Sequence, residues 1–141
     1  MSYSESKTRK YTDFTIDDVK DYIHKFRKAI LDSKYIISKN ENRKENIDFI
    51  EDYKIDTKKE KEILLSIQYN DFCYAVDNEK KEFAYEKLYI FCKCQKLDFW
   101  GTLEDVDIYI KINMTKTRRG DDYIIIVSFH KRNKPIKYLF K

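Results

Sequence analysis

Val106-Asp107-Ile108-Tyr109-Ile110-Lys111-Ile112-Asn113 alternates strictly between aliphatic and polar side chains. Successive side chains on a strand point to opposite faces. The stretch therefore lays Val106, Ile108, Ile110 and Ile112 on a core and turns Tyr109 and Lys111 together to the other side. Downstream, Thr117-Arg118-Arg119-Gly120-Asp121 has the composition of a hairpin connection. Tyr123 to His130 is its partner strand, with Ser128 and His130 sharing a face. Ile136 to Phe140, after Pro135, predicts a last edge strand. Upstream, Tyr85 to Cys94 is apolar and aromatic at both parities from the change of pattern at Phe83, as a central strand requires. Leu97-Asp98-Phe99-Trp100-Gly101 predicts a turn with a bulky apolar anchor.

The N-terminal half has a different period. Residues 1–13 are polar and read as a mobile tail, and 14–141 as a single domain. Thr15 with Asp18 three residues on is a capping pair, and Phe14 is placed to staple onto Val19. Val19, Tyr22, Ile23, Phe26, Ile30 and Leu31 then recur at helical spacing. Tyr35-Ile36-Ile37 reads as a short strand, Asn40 to Tyr53 as a second helix, and Asp56 or Thr57 as the cap of a third through Ile67. Asp71-Phe72-Cys73-Tyr74 fits a short helix or a turn equally well. Helices first and strands afterwards give an α+β fold, with N-terminal helices packed on a C-terminal antiparallel sheet.

Composition excludes several function classes. Two glycines and one proline in 141 residues leave no glycine-rich phosphate loop. No apolar run approaches the length of a membrane span, and Met1 to Asp13 lacks the apolar centre of a signal peptide. Three cysteines make no disulfide framework, so a reducing cytoplasm is expected. Cys92 and Cys94 with Cys73 would need His24 or His130 to complete a zinc site, and buried thiols are the simpler reading.

Charge is unevenly spread. Residues 111–141 hold nine Lys or Arg against two Asp, whereas the whole chain is only +4. His130, one of two histidines, ends a strand inside this basic region. Histidine titrates near neutrality and can move protons, and Lys or Arg can stabilise charge on phosphate. An anionic ligand is expected, RNA foremost, with Tyr109 and His130 bordering a hollow rimmed by Arg118, Arg119, Lys131 and Arg132. Such chemistry on the ribose 2′-OH requires no metal and no cofactor. The plain alternative is a solvated basic face with a polar strand-end histidine.

Ile55-Asp56, Ile63-Leu64-Leu65-x-Ile67, Asp71-Phe72, Leu88-Tyr89, Val106-x-Ile108-Tyr109-Ile110-Lys111-Ile112 and Ile126-Val127-Ser128-Phe129-His130 together resemble the MqsR group of type II toxins. These are RelE-like mRNA interferases neutralised by a protein antitoxin. The resemblance covers the element order over 15–131 and implies a RelE/MqsR-like fold, an mRNA substrate and a cognate antitoxin. It matches Tyr109 to the family's tyrosine. His130 stands where the last strand ends in lysine, Tyr74 where a lysine is expected, and Glu86 where a glutamine is expected. The implied site is His130, Tyr109 and Glu86 for catalysis. Lys111, Arg118, Arg119, Lys131 and Arg132 would hold phosphate, and Tyr74 would stack on a base. The competing reading is a non-enzymatic protein, such as a phage-encoded inhibitor or an operon regulator, that engages a nucleic-acid complex through its basic face.

Overall fold

The computed structural model of the chain describes residues 9–78 and 86–141. Phe83 and Tyr85, read as the start of the central strand, lie outside them. Three helices form where the period predicts them. In α1 (Ile16–Leu31) the Thr15 hydroxyl accepts from the Asp18 N–H at 3.0 Å, and the Asp18 carboxylate accepts from the Thr15 N–H at 2.8 Å. Phe14 turns its ring onto Phe72 and Tyr89. The second helix opens as a 3-10 turn over Glu41–Arg43, because the Asn40 side chain accepts from Asn42 N–H, and continues as α2 (Lys44–Asp52). Asp56 caps α3 (Thr57–Leu65).

The strands are β1 (Lys10–Tyr11), β2 (Tyr35–Ile37), β3 (Phe72–Asp77), β4 (Lys87–Phe99), β5 (Thr102–Lys116) and β6 (Asp122–Lys131). They form one sheet in the order β1-β3-β4-β5-β6-β2. Among the described residues the architecture is α+β, with three α-helices and a six-stranded mixed sheet. The sheet is not purely antiparallel as expected, because β2 runs parallel to β6 through Tyr35↔Ile124 to Ile37↔Ile126. A three-residue apolar strand carries no signal of its direction, and its place beside β6 follows from the end of α1.

Three further expectations need correction. Lys10 and Tyr11 pair with Val76 and Ala75, so the end of the segment read as a mobile tail forms an edge strand of the sheet. The Tyr11 hydroxyl, donating to Asp77 at 2.9 Å, ties this edge down. Asp71 ends a 3-10 turn and Phe72 to Asp77 is a strand, nearly all of it buried. Ile136 to Phe140 forms no ladder, since β1 and β2 occupy both edges; it crosses the sheet face, with Leu139 N–H donating to the Phe72 carbonyl at 3.0 Å.

The β4–β5 turn is also smaller than read. Trp100 (φ 51°) and Gly101 (φ 94°) form a two-residue loop whose positive φ values suit the strand twist. Trp100 is 67% exposed and anchors nothing in the core.

The principal core lies between the helices and one sheet face, where Ile108, Ile110, Ile112, Ile124, Ile126 and Phe129 meet α1 and α2. A second apolar cluster covers the other face: Cys73, Tyr74, Val76, Leu88, Ile90, Cys92 and Tyr109, beneath Ile136 and Tyr138. None of the described helices is long and apolar enough to cross a membrane.

Candidate functional site

The residues of β6 that enter the helix-side core are 124, 126 and then 129, a break in the two-residue period. Here the pairing with β5 shifts: Ile126 faces Ile112, but Ser128 faces Lys111. Val127 is the extra residue of a β-bulge. Without it, Ser128 and His130 would follow Ile126 into the helix-side core. With it, Phe129 enters that core, and Ser128 and His130 join Lys111 and Tyr109 on the opposite face.

Asn46 of α2 holds this bulge in place. Its amide nitrogen donates to the carbonyls of Ser38 (2.9 Å) and Val127 (3.0 Å), and its oxygen accepts from Phe129 N–H (2.8 Å). β2 pairs with β6 only from Ile124 to Ile126, so the Asn46 amide serves the edge beyond it. The sequence reading passed over Asn46; its signal is an amide on the buried side of an otherwise apolar helix face.

Tyr109 and His130 are cross-strand partners with ring centroids 5.4 Å apart and planes inclined by 26°. His130 Nδ1 lies 2.9 Å from the Lys131 carbonyl. A carbonyl only accepts, so this contact places the proton on Nδ1 and leaves Nε2 as the acceptor. Tyr109 is buried, at 4% exposed, with Lys134 Nζ 5.1 Å above its ring. Burial, then the neighbouring Tyr74 phenol, raises its pKa far above the usual tyrosine value. A proton held that firmly takes no part in transfer near neutrality, and Tyr109 is fitted to hold the imidazole instead.

The expected cationic rim does not assemble. Arg118 and Arg119 are exposed at the β5–β6 hairpin tip, roughly 25 Å along the strands from His130. Lys131, opposite Ile108, points to the helix side, 3.9 Å from Glu104. Arg132 is engaged by Asp107 at 3.3 Å and by the Lys134 carbonyl at 2.8 Å. Tyr74 is buried beside Tyr109 with Lys10 Nζ 4.6 Å over its ring, and presents no free face for a base. Lys111 does lie on the face of Tyr109, two residues along. The open side of His130 is a shallow hollow of about 240 Å³ that also includes Glu45, Asp48, Asp52 and Lys131.

Glu86 lies at the far end of the same face, near Thr115, roughly 20 Å from Tyr109. It therefore does not join His130. With Lys111, Asn113, Thr115, Leu88 and Arg43 it lines a cavity of about 300 Å³. One Glu86 oxygen accepts from the Thr115 hydroxyl at 2.9 Å. Its other oxygen and the Asn113 side-chain oxygen are buried with no hydrogen-bond donor among the described residues.

The thiols complete the inventory of reactive groups. Cys73 and Cys92 are buried in the second cluster, and burial pushes the Cys73 pKa up to about 12. Cys94 is exposed. Among the described residues no three His, Cys, Asp or Glu side chains are grouped to hold a metal. Native protein treated with a chromogenic thiol reagent should release one equivalent quickly and all three only in denaturant; two fast thiols would contradict the burial of Cys73 and Cys92. Comparison of the chain with family models, curated proteins and solved structures finds no match.

Proposed function

We propose that this protein is a toxin-type endoribonuclease of the RelE/MqsR kind, cleaving mRNA without metal and neutralised by a cognate antitoxin. The observation that carries the reading is the pairing of His130 with Tyr109 across the β5–β6 ladder, with Lys111 and Ser128 next on the same face. Nε2 of His130 is the base that takes the ribose 2′-OH proton. The 2′-oxygen attacks the adjacent phosphorus, the bond to the 5′-oxygen breaks, and a protonated group returns a proton to that leaving oxygen. Tyr109 orients the ring, and Lys111 carries positive charge towards the phosphate. The resemblance of the 105–130 strands to MqsR toxins supports the same reading.

The test is incubation of purified protein with mixed-sequence RNA in the presence of a chelator. Fragments ending in 2′,3′-cyclic phosphate and 5′-hydroxyl are expected, with His130→Ala slower by roughly 10²- to 10⁴-fold. Intact RNA, or equal cutting by the variant, ends the proposal. Growth arrest on expression, relieved by one small partner protein, is the corresponding cellular result.

A second reading has its own supporting observation. The three carboxylates beside His130 disfavour phosphate there, and Tyr109 is covered by the C-terminal segment. A non-enzymatic protein would engage a nucleic-acid complex through Arg118 and Arg119 at the exposed hairpin. In that case reversing these two charges abolishes binding, whereas His130→Ala changes nothing.

A further inference from the structure

We infer that Lys134, on the C-terminal segment, is the acid that protonates the departing 5′-oxygen when RNA is cleaved. This role rests on the nuclease reading above, in which the leaving oxygen still lacks a named donor.

The start of the C-terminal segment follows β5 on the face of Tyr109. Arg132 N–H donates to the Asp107 carbonyl at 2.8 Å, and the Arg132 guanidinium reaches the Asp107 carboxylate at 3.3 Å. The same guanidinium donates to the Lys134 carbonyl at 2.8 Å, which fixes the backbone two residues on. Asp107 and Tyr109 are themselves two residues apart and share a face of β5. Lys134 is set over Tyr109 in this way, with Nζ 5.1 Å from the ring centroid. Further along, the segment is anchored again where Leu139 N–H meets the Phe72 carbonyl and the Phe140 ring stacks on Phe72. Lys134 is therefore held between two fixed points. His130 packs on the same Tyr109 ring at 5.4 Å between centroids. One buried ring carries both the imidazole and the ammonium.

Among the described residues, the other ionisable groups packed around Tyr109 are poor proton donors near neutrality. Burial raises the pKa of Tyr109 itself far above the usual tyrosine value. It also raises those of Tyr74, Tyr138, Cys73 and Cys92. Arginine keeps its proton at any working pH, so Arg132 serves to place its neighbour. Lys111 lies two residues along β5, opposite Ser128, and suits the non-bridging phosphate oxygens. Lys134 is left. Burial lowers its pKa from the ordinary lysine value, and an ammonium so placed releases its proton more readily.

In the full step His130 Nε2 takes the 2′-OH proton while the 2′-oxygen bonds to phosphorus. The bond from phosphorus to the 5′-oxygen breaks, and Lys134 Nζ gives that oxygen a proton. The products are a 2′,3′-cyclic phosphate and a 5′-hydroxyl, with an imidazolium and a neutral amine left on the protein. Exchange with water removes the one proton and restores the other.

The experiment compares ordinary RNA with the same RNA carrying sulfur in place of the 5′-oxygen, at a cut first mapped with wild type. A thiolate departs without a proton near neutrality, so the sulfur substrate needs no acid. Lys134→Met keeps the stem over Tyr109 and removes the proton. It should cut ordinary RNA roughly 10²- to 10⁴-fold more slowly than wild type, and the sulfur substrate within roughly 10-fold of it. Lys134→Arg keeps the charge without a releasable proton and should be as slow as Lys134→Met on ordinary RNA. His130→Ala should be slow on both substrates. Urea midpoints measured alongside establish folding, and Lys134→Arg carries the same comparison where Lys134→Met does not fold. Equal slowing on both substrates, or ordinary RNA cut at the wild-type rate by either Lys134 variant, overturns the role and leaves the nuclease standing. Ordinary RNA left intact by wild type removes the nuclease and this role with it.

Discussion

Asn46→Ala is expected to cost roughly 3 kcal/mol or more of folding stability, although Asn46 belongs to neither core cluster. The side chain is 1% exposed and makes three hydrogen bonds to backbone groups, at 2.9, 3.0 and 2.8 Å. Alanine leaves the Phe129 N–H without its partner in a place water does not reach, and removes a donor from the carbonyls of Ser38 and Val127. Urea unfolding of wild type and variant measures the loss, as a lower midpoint at unchanged slope. Asn46→Asp should be worse still at neutral pH, because a carboxylate would face two carbonyl oxygens that both require a donor. A loss under about 1 kcal/mol in either variant would mean that the bulge holds without this amide. The consequence for the site is direct. The bulge decides which face His130 occupies, so a variant that still folds should lose the Tyr109–His130 ring contact, seen as a changed histidine resonance.

Phe72→Ala should destabilise the protein by roughly 3–5 kcal/mol. Phe72 is fully buried, and its ring centroid lies 5.3 Å from Phe14, 5.5 Å from Tyr89, 5.4 Å from Phe91 and 6.3 Å from Phe140. It therefore joins the start of α1, two strands and the C-terminal segment in one aromatic group. Truncation removes the transfer free energy of the ring and leaves a cavity walled by three other pieces of chain: the start of α1, β4 and the C-terminal segment. Phe72→Leu keeps most of the volume and should recover a large part of the loss. Both are read from urea midpoints, and a change in Phe72→Ala below about 1 kcal/mol would show that these walls collapse freely.

These two residues show what was and was not legible beforehand. Phe72 stood in a four-residue piece whose structure the sequence left open between helix and turn. Five buried residues in succession carry neither a helical nor an alternating period, and only pairing with β4 makes them a strand. Asn46 looked like an ordinary polar position, because its role depends on a strand more than eighty residues away. The candidate site divided for a related reason. Strand parity correctly joined Tyr109 with Lys111, and Ser128 with His130. Parity is silent about distance along a strand, and so Glu86, Arg118 and Arg119 were grouped with residues that lie roughly 20–25 Å away.

By itself, the sequence determined the elements: α1 and its Thr15–Asp18 cap, the alternation of β5, the hairpin at 117–121 and the α+β class. All of these rest on short-range periods and local hydrogen bonds that a chain carries wherever it folds. The tertiary structure alone decided the parallel placement of β2, the C-terminal segment lying over the second face, and the side of the sheet that His130 takes. Those outcomes turn on which edges are already occupied and on one inserted residue held by a distant amide. No local pattern contains either of them.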